Sequence, residues 1–136
     1  MTEFPLRIVT PDGMKYEGTA EEVIVRTTTG DIGILAGHVP CVAPLGMGMA
    51  TFIIHGEKRY AACIGGILSV ANGEVTLVPT TFEWAEDIDP DRAERAESKA
   101  REILTKGISD AAQLAAAEAK LKRALIRKSV KKYKSM

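Results

Sequence analysis

Ala85 to Ala93 reads AEDIDPDRA, and the chain before this stretch is written in a different pattern from the chain after it. Asp89 precedes Pro90 and Asp91. An aspartate side chain accepts from the first free amides of a helix, a proline at the first helical position gives up an N–H that would be unpaired there anyway, and a second acid faces the positive end of the helix dipole. The stretch therefore predicts a helix that starts at Asp89. Downstream, β-branched residues thin out and Ala, Glu, Lys and Arg recur with a helical period. Ala93, Ala96, Ala100 and Ile103 or Leu104 fall on one face, and Gly107 in KGIS suits a left-handed cap. Asp110 or Ser109 then caps a second helix, on which Leu114, Ala117, Leu121 and Ala124 repeat at three and four residues. The two narrow seams predict an antiparallel hairpin. At about 25 cal/mol per Å², an alanine seam stabilises far less than a leucine seam of equal length. The hairpin is thus expected to be weakly closed by its own contacts, so that a ligand or partner can shift it.

Upstream, as far as about Pro79, short runs rich in Val, Ile and Thr are cut by glycine-bearing turns. LRIVT runs into PDG, EEVIVRTTT into GDIG, MATFIIH into GEKR, RYAACI into GG and ILSV into ANGE, before VTLV closes the series. Many short strands with no helical pattern between them predict an antiparallel β-sandwich or barrel. The expected organisation is a β-domain over 1–86 followed by a helical hairpin over 87–136.

The 136 residues, 46% of them hydrophobic and 26% charged, describe one ordinary folded core. Apolar runs such as ATFII at Ala50 to Ile54 fall far short of the roughly 20 residues a membrane-spanning helix requires. The opening MTEFPLRIVTPDG has no basic segment followed by an apolar one, so no secretory or transit leader and a cytoplasmic location are expected. Cys41 and Cys63 lie in apolar surroundings without a C-x-x-C or Cys/His cluster, which predicts reduced core thiols.

Net charge is zero, yet the charges are sorted. Between Glu83 and Glu97 stand Glu83, Glu86, Asp87, Asp89, Asp91, Glu94 and Glu97 against Arg92 and Arg95. From Ala119 onward there are only bases: Lys120, Lys122, Arg123, Arg127, Lys128, Lys131, Lys132 and Lys134. Such a cationic segment suits an anionic partner, whether nucleic acid, a phosphate ligand, lipid headgroups or an acidic protein surface.

His38 has no nucleophile or carboxylate partner in the sequence, and Gly30, Gly33 and Gly37 do not lead into a helix, so neither catalysis nor a phosphate-cradling loop is expected there. His55, before Gly56, reads as a solvated hairpin end, and Gly65-Gly66 as a tight turn or bulge. No paired acid and base, nucleophile or metal-ligand cluster appears, so an enzyme is not expected and no metal site is expected. IDPDRA stays open between two readings. Asp89 is a cap on one, with Arg92 a surface partner of Glu86 or Asp89. On the other, Arg92 joins Arg123 and Arg127, which share a helical face, to bind a polyphosphate by charge-assisted hydrogen bonds.

VTPDG at Val9 to Gly13, GDIGILAGHVP at Gly30 to Pro40, IGGILSV at Ile64 to Val70 and IDPDRA at Ile88 to Ala93 together resemble the epsilon subunit of bacterial F-type ATP synthases, over almost the whole chain. The resemblance implies a flattened ten-stranded β-sandwich followed by a two-helix domain. It implies a non-catalytic rotor subunit on the cytoplasmic face of the bacterial cell membrane, peripheral and attached only through its complex. The implied partners are the gamma subunit, the ring of c subunits and, through the basic C-terminal helix, the alpha/beta catalytic head, where the hairpin inhibits ATP hydrolysis. Thr29, Gly30 and Asp31 then look like a ring-contacting turn, with His38 and Pro40 shaping the loop that follows; Ala36 stands where the family commonly has proline.

In several bacterial relatives the folded hairpin binds ATP, and the resemblance carries that site onto Glu83, Ile88, Asp89, Arg92, Ala93, Arg123 and Arg127. Lys99 stands where the family can have a phosphate-binding arginine; lysine is a point charge without the planar fork. No cofactor is required, and ATP is implied as a regulatory ligand. The alternative from another class is a stand-alone nucleotide-sensing or nucleic-acid-binding module that uses the basic C-terminal segment, whereas the subunit reading implies no nucleic acid.

Overall fold

The computed structural model describes residues 2–107 and 110–134. Ten strands come first: β1 (Phe4–Thr10), β2 (Gly13–Ala20), β3 (Glu22–Thr27), β4 (Gly30–Leu35), β5 (Cys41–Pro44), β6 (Met47–Ile54), β7 (Glu57–Ile64), β8 (Ile67–Ala71), β9 (Glu74–Val78) and β10 (Thr81–Trp84). A 3₁₀ turn at Ala85–Asp87 leads to α1 (Pro90–Thr105) and α2 (Ala111–Lys134). The strands form two five-stranded sheets, in the orders β2-β1-β9-β8-β5 and β10-β7-β6-β3-β4. The sandwich is antiparallel except where β1 runs parallel to β9.

Alternation along the strands builds the core. Phe4, Leu6, Ile8 and Thr10 of β1 point inward, as do Ala50, Phe52 and Ile54 of β6. They meet Val23, Val25, Ile34, Leu68, Leu77, Phe82 and Trp84 in one cluster drawn from both sheets. Four strands were not legible as strands. β2 is largely exposed and rich in Lys, Glu and Gly, β4 begins at the GDIG expected as a turn, and β5 has only four residues. β10 extends the β-pattern to Trp84, past the expected end of the strand series at about Pro79, because Phe82 and Trp84 alternate inward and the strand pairs with β7. Cys63 is buried and Cys41 half-buried, both free. Gly65-Gly66 makes the turn between β7 and β8. A Cβ on Gly66, whose φ is +100°, would stand 2.0 Å from the carbonyl oxygen of Val78, so only glycine fits.

The start of α1 follows from its sequence: Asp89 Oδ1 accepts from the amides of Asp91 at 2.9 Å and Arg92 at 3.2 Å. Gly107 has φ +72°, and its amide donates to Leu104 O at 3.4 Å. Asp110 Oδ1 accepts from the Ala112 amide at 2.8 Å; Ser109 lies outside the described residues. Ala93, Ala100, Ala117 and Ala124 are buried between the helices. Ala96, however, is exposed and Glu97 takes the inward position, because Ala93, Glu97 and Ala100 keep the spacing of four and three that a helix face requires. Leu114 stays 37% exposed, so the seam is shorter than its sequence pattern.

A second apolar layer compensates. The last four residues of β7 are all buried: Ala61 and Cys63 in the sandwich, Ala62 on the outer face with Ala85, Ile88 and Val130. Met49, Tyr60 and Ile126 pack against that outer cluster. The rings of Tyr60 and Tyr133 meet edge to face with centroids 5.0 Å apart. The hairpin is therefore seated on the sandwich through α2, which uses one face for α1 and another for β6 and β7.

Candidate functional site

Because β10 runs into the 3₁₀ turn and α2 returns antiparallel to α1, the second half of α2 passes over the start of α1. Arg127 Nε reaches Glu83 of β10 and donates to Oε1 at 3.1 Å. At this crossing lies a cavity of about 380 Å³, lined by Glu83, Ile88, Asp89, Arg92, Ala93 and Arg127, six of the residues the family pattern indicates. Asp12, Lys15 and Asp87 also line it. Asp12 and Lys15 arrive from the β1–β2 hairpin, where Trp84 Nε1 donates to Lys15 O at 3.2 Å and ties that hairpin to β10. No sequence signal joins residues 69 apart in this way; only the stacking of two sheets does.

A second cavity, of about 290 Å³, adjoins the first at Ala96 and Arg127. Its other lining residues are Lys99, Ala100, Ile103, Lys120 and Arg123. The acid-bearing cavity is thus followed by one with four cations and no acid. Lys120 escaped the family pattern, although its position three before Arg123 and seven before Arg127 puts it on the same face. Among the described residues the side chains of Arg92, Lys99, Lys120 and Arg123 have no hydrogen bond or ion pair.

Much of the rest of the basic segment is engaged. Lys128 Nζ lies 2.6 Å from Glu94 Oε2 and 2.5 Å from Glu97 Oε1, Lys131 Nζ donates to Ala85 O at 3.1 Å, and Lys134 Nζ stands 3.7 Å from Glu86. Glu86, expected as a partner of Arg92, pairs instead with Arg59 at 2.6 Å, whose guanidinium lies 3.8 Å over the Trp84 ring. Hydrogen bonds from Lys128 and then Arg101 hold the Glu97 carboxyl below the usual glutamate range, and bonds to Glu94 and Glu97 raise Lys128. Partial burial pushes Glu86 upward, but the Arg59 hydrogen bond and the Arg59 and Lys134 charges leave it lowered.

Thr29 lies in the β3–β4 turn and Gly30 and Asp31 open β4, pinned by Thr27 Oγ1 donating to Gly30 O at 2.6 Å and by Arg26 Nε on Asp31 at 2.7 Å. His38 follows the far end of β4, with Nδ1 2.8 Å from Val39 O. A six-residue strand is about 20 Å long, so the turn and His38 do not form one patch. His55 is exposed, 4.0 Å from Glu3. Burial pushes the Cys63 thiol up to about 12, which makes it a poor nucleophile. Among the described residues no group of three His, Cys, Asp or Glu side chains is placed to hold a metal ion, and no helix is long and apolar enough to cross a membrane.

The beta-sandwich domain of the ATP synthase delta/epsilon chain matches residues 3–85, and the long alpha-helix domain of the same chain matches residues 86–132. The chain belongs to the ATP synthase delta/epsilon family. It is 38% identical over 134 residues to the ATP synthase epsilon chain of Shouchella clausii, with 98% of each chain covered. Solved chains share its fold, among them two from mitochondrial ATP synthases. One, in the Euglena gracilis mitochondrial ATP synthase with OSCP, F1 and c-ring in rotational state 1, superposes with a TM-score of 0.77 at 24% identity, covering 90% of this chain and 77% of that one. The other, in the central stalk and c-ring of the Tetrahymena thermophila mitochondrial ATP synthase, gives 0.67 at 11% identity, covering 93% and 95%. The epsilon chain to which it is similar is a non-catalytic subunit of the ATP synthase.

Proposed function

We propose that this chain is a central-stalk subunit that links the gamma subunit and the c-ring to the catalytic head, and that its C-terminal hairpin restrains ATP hydrolysis and holds ATP while folded. The observation that carries the nucleotide part is the pair of adjoining cavities. All eight residues of the family pattern line one or the other: Glu83, Ile88, Asp89, Arg92, Ala93, Lys99, Arg123 and Arg127. Carboxylates and apolar groups on one side suit a base and ribose, and four cations without an acid suit a phosphate chain. The stalk part is supported by family membership and by the solved chain of like fold in a central stalk and c-ring assembly. The β3–β4 turn at Thr29 to Asp31 is the expected ring contact. The subunit sits peripherally at the cytoplasmic face of the cell membrane, attached only through its complex.

Folding the hairpin down occupies Arg127, Lys128, Lys131 and Lys134 with partners inside the chain. Those cations become available to acidic loops of the head only when α2 leaves both α1 and the sandwich. In this way nucleotide occupancy and inhibition exclude each other.

ATP should raise the melting midpoint of the wild-type chain by mass action. The rise should shrink in Arg92→Ala and Arg127→Ala, since a charge-assisted hydrogen bond is worth roughly 1.5–3 kcal/mol, about tenfold to a hundredfold in affinity. Arg92→Ala is the cleaner variant because Arg127 also holds Glu83. A wild-type midpoint that millimolar ATP leaves unmoved overturns the nucleotide site and returns Asp89 to the role of a cap.

A further inference from the structure

Lys120, Arg123 and Arg127 occupy positions i, i+3 and i+7 of α2 and line the acid-free cavity together with Lys99 of α1. At 1.5 Å per residue this row is about 10 Å long. Its two ends differ. Arg127 belongs to both cavities and is held by Glu83, whereas Lys120 at the other end has no hydrogen bond or ion pair among the described residues. A phosphate chain that starts where the cavities join can therefore grow in only one direction along α2, away from the carboxylates of Glu83, Asp87 and Asp89. It meets Arg127 first, Arg123 one turn on, and Lys120 last.

We propose that Lys120 is the residue that reads phosphate number: it contacts the terminal phosphate of a triphosphate and is out of reach of a diphosphate. The proposal rests on the nucleotide reading above and adds to it a residue outside the family pattern. The physical reason is that an ammonium acts as a point charge whose attraction falls with distance. One further phosphate carries the ligand into its range and brings a charge-assisted hydrogen bond that the shorter ligand lacks. Lys120 is exposed on a helix, so alanine there keeps the fold.

The test is calorimetric titration of the full chain, wild type and Lys120→Ala, with ATP, ADP and inorganic tripolyphosphate. Lys120→Ala should weaken ATP and tripolyphosphate about tenfold, leave ADP within twofold, and so collapse the preference for three phosphates over two; Lys120→Arg should restore part of it. Equal weakening of ATP and ADP would show a diffuse field and overturn the proposal, as would unchanged ATP affinity. If the wild type binds tripolyphosphate with this dependence on Lys120 but fails to bind ATP, the phosphate reading stands and the nucleotide reading falls. Binding of none of the three ligands removes both.

Discussion

The sandwich and the hairpin are held by different forces. Between the sheets, Phe52, Leu6, Ile8, Leu68 and Leu77 are fully buried, and each such side chain contributes about 1.5–3 kcal/mol through apolar burial. Between the helices the buried apolar residues are Ala93, Ala100, Ala117 and Ala124, with one methyl group apiece. The difference is made up by charge, Lys128 bridging Glu94 and Glu97, and by the borrowed apolar contact of Val130 and Tyr133 on the outer face of β6 and β7. A core of large apolar side chains is insensitive to pH and salt, whereas a seam closed by ion pairs responds to both. The chain thus carries a rigid half and a half that solution conditions and ligands can move.

The contrast breaks most easily at Phe52, which is fully buried with ring centroids 6.0 Å from Phe82 and 5.4 Å from Trp84. Phe52→Ala should cost about 3–5 kcal/mol of global stability by chemical denaturation. A cost below about 1 kcal/mol would mean that the sandwich is not the rigid half. Next comes Val130, buried at the seat of α2 on the sandwich. Val130→Ala removes two carbons, worth about 1.5 kcal/mol at 0.8 kcal/mol per methylene. That loss should appear as faster amide exchange in α1 and α2, with exchange in β6 and β7 little changed. Equal acceleration in both would show that the hairpin and sandwich open as one unit.

The smallest effect concerns pH. The Glu97 carboxyl is depressed in the folded chain, so its contribution is complete above the ordinary glutamate value of about 4.3 and is lost as pH falls through the lower folded value. Lys128 is raised, so its contribution is complete below the ordinary lysine value of about 10.4 and is lost as pH rises through the higher folded value. Hairpin closure, followed by exchange or by fluorophores on α2 and the sandwich, should be flat between about pH 5 and 10 and weaken below about pH 4. Glu97→Gln should flatten that acid limb and reduce the salt dependence of closure. An acid limb unchanged by Glu97→Gln would place the sensitivity on other groups.

Much of the fold was legible because its signals are local. The turns at Pro11 to Gly13 and Gly65-Gly66, the Asp89 cap and the Gly107 stop each act within a few residues, and each stands where the residue types require. β2 and β5 were not legible, since an edge strand such as β2 needs little apolar alternation and β5 is too short to show any. Of the candidate site, Arg92, Arg123 and Arg127 were legible from position and spacing, and the family pattern supplied Glu83, Ile88, Asp89, Ala93 and Lys99. The inward turn of Glu97 was hidden because an alanine-rich helix offers several equivalent faces, and a sequence pattern alone does not choose among them.

The sequence by itself determined that strands give way to helices, where α1 starts and stops, and that acids and bases are separated along the chain, because propensity, capping and patterning act over a few residues. Only the tertiary structure decided which bases meet which acids. Arg127 lies 44 residues from Glu83 and Lys128 lies 31 residues from Glu97, and both pairs depend on the angle at which α2 crosses α1 and on its seat over Ala62 and Tyr60. Lys120, Arg123 and Lys99 were left facing a cavity, and Lys128, Lys131 and Lys134 were turned to internal partners, by the same packing. Side chains of one charge on one helix are equivalent in sequence; the surface each faces after folding gives them separate roles.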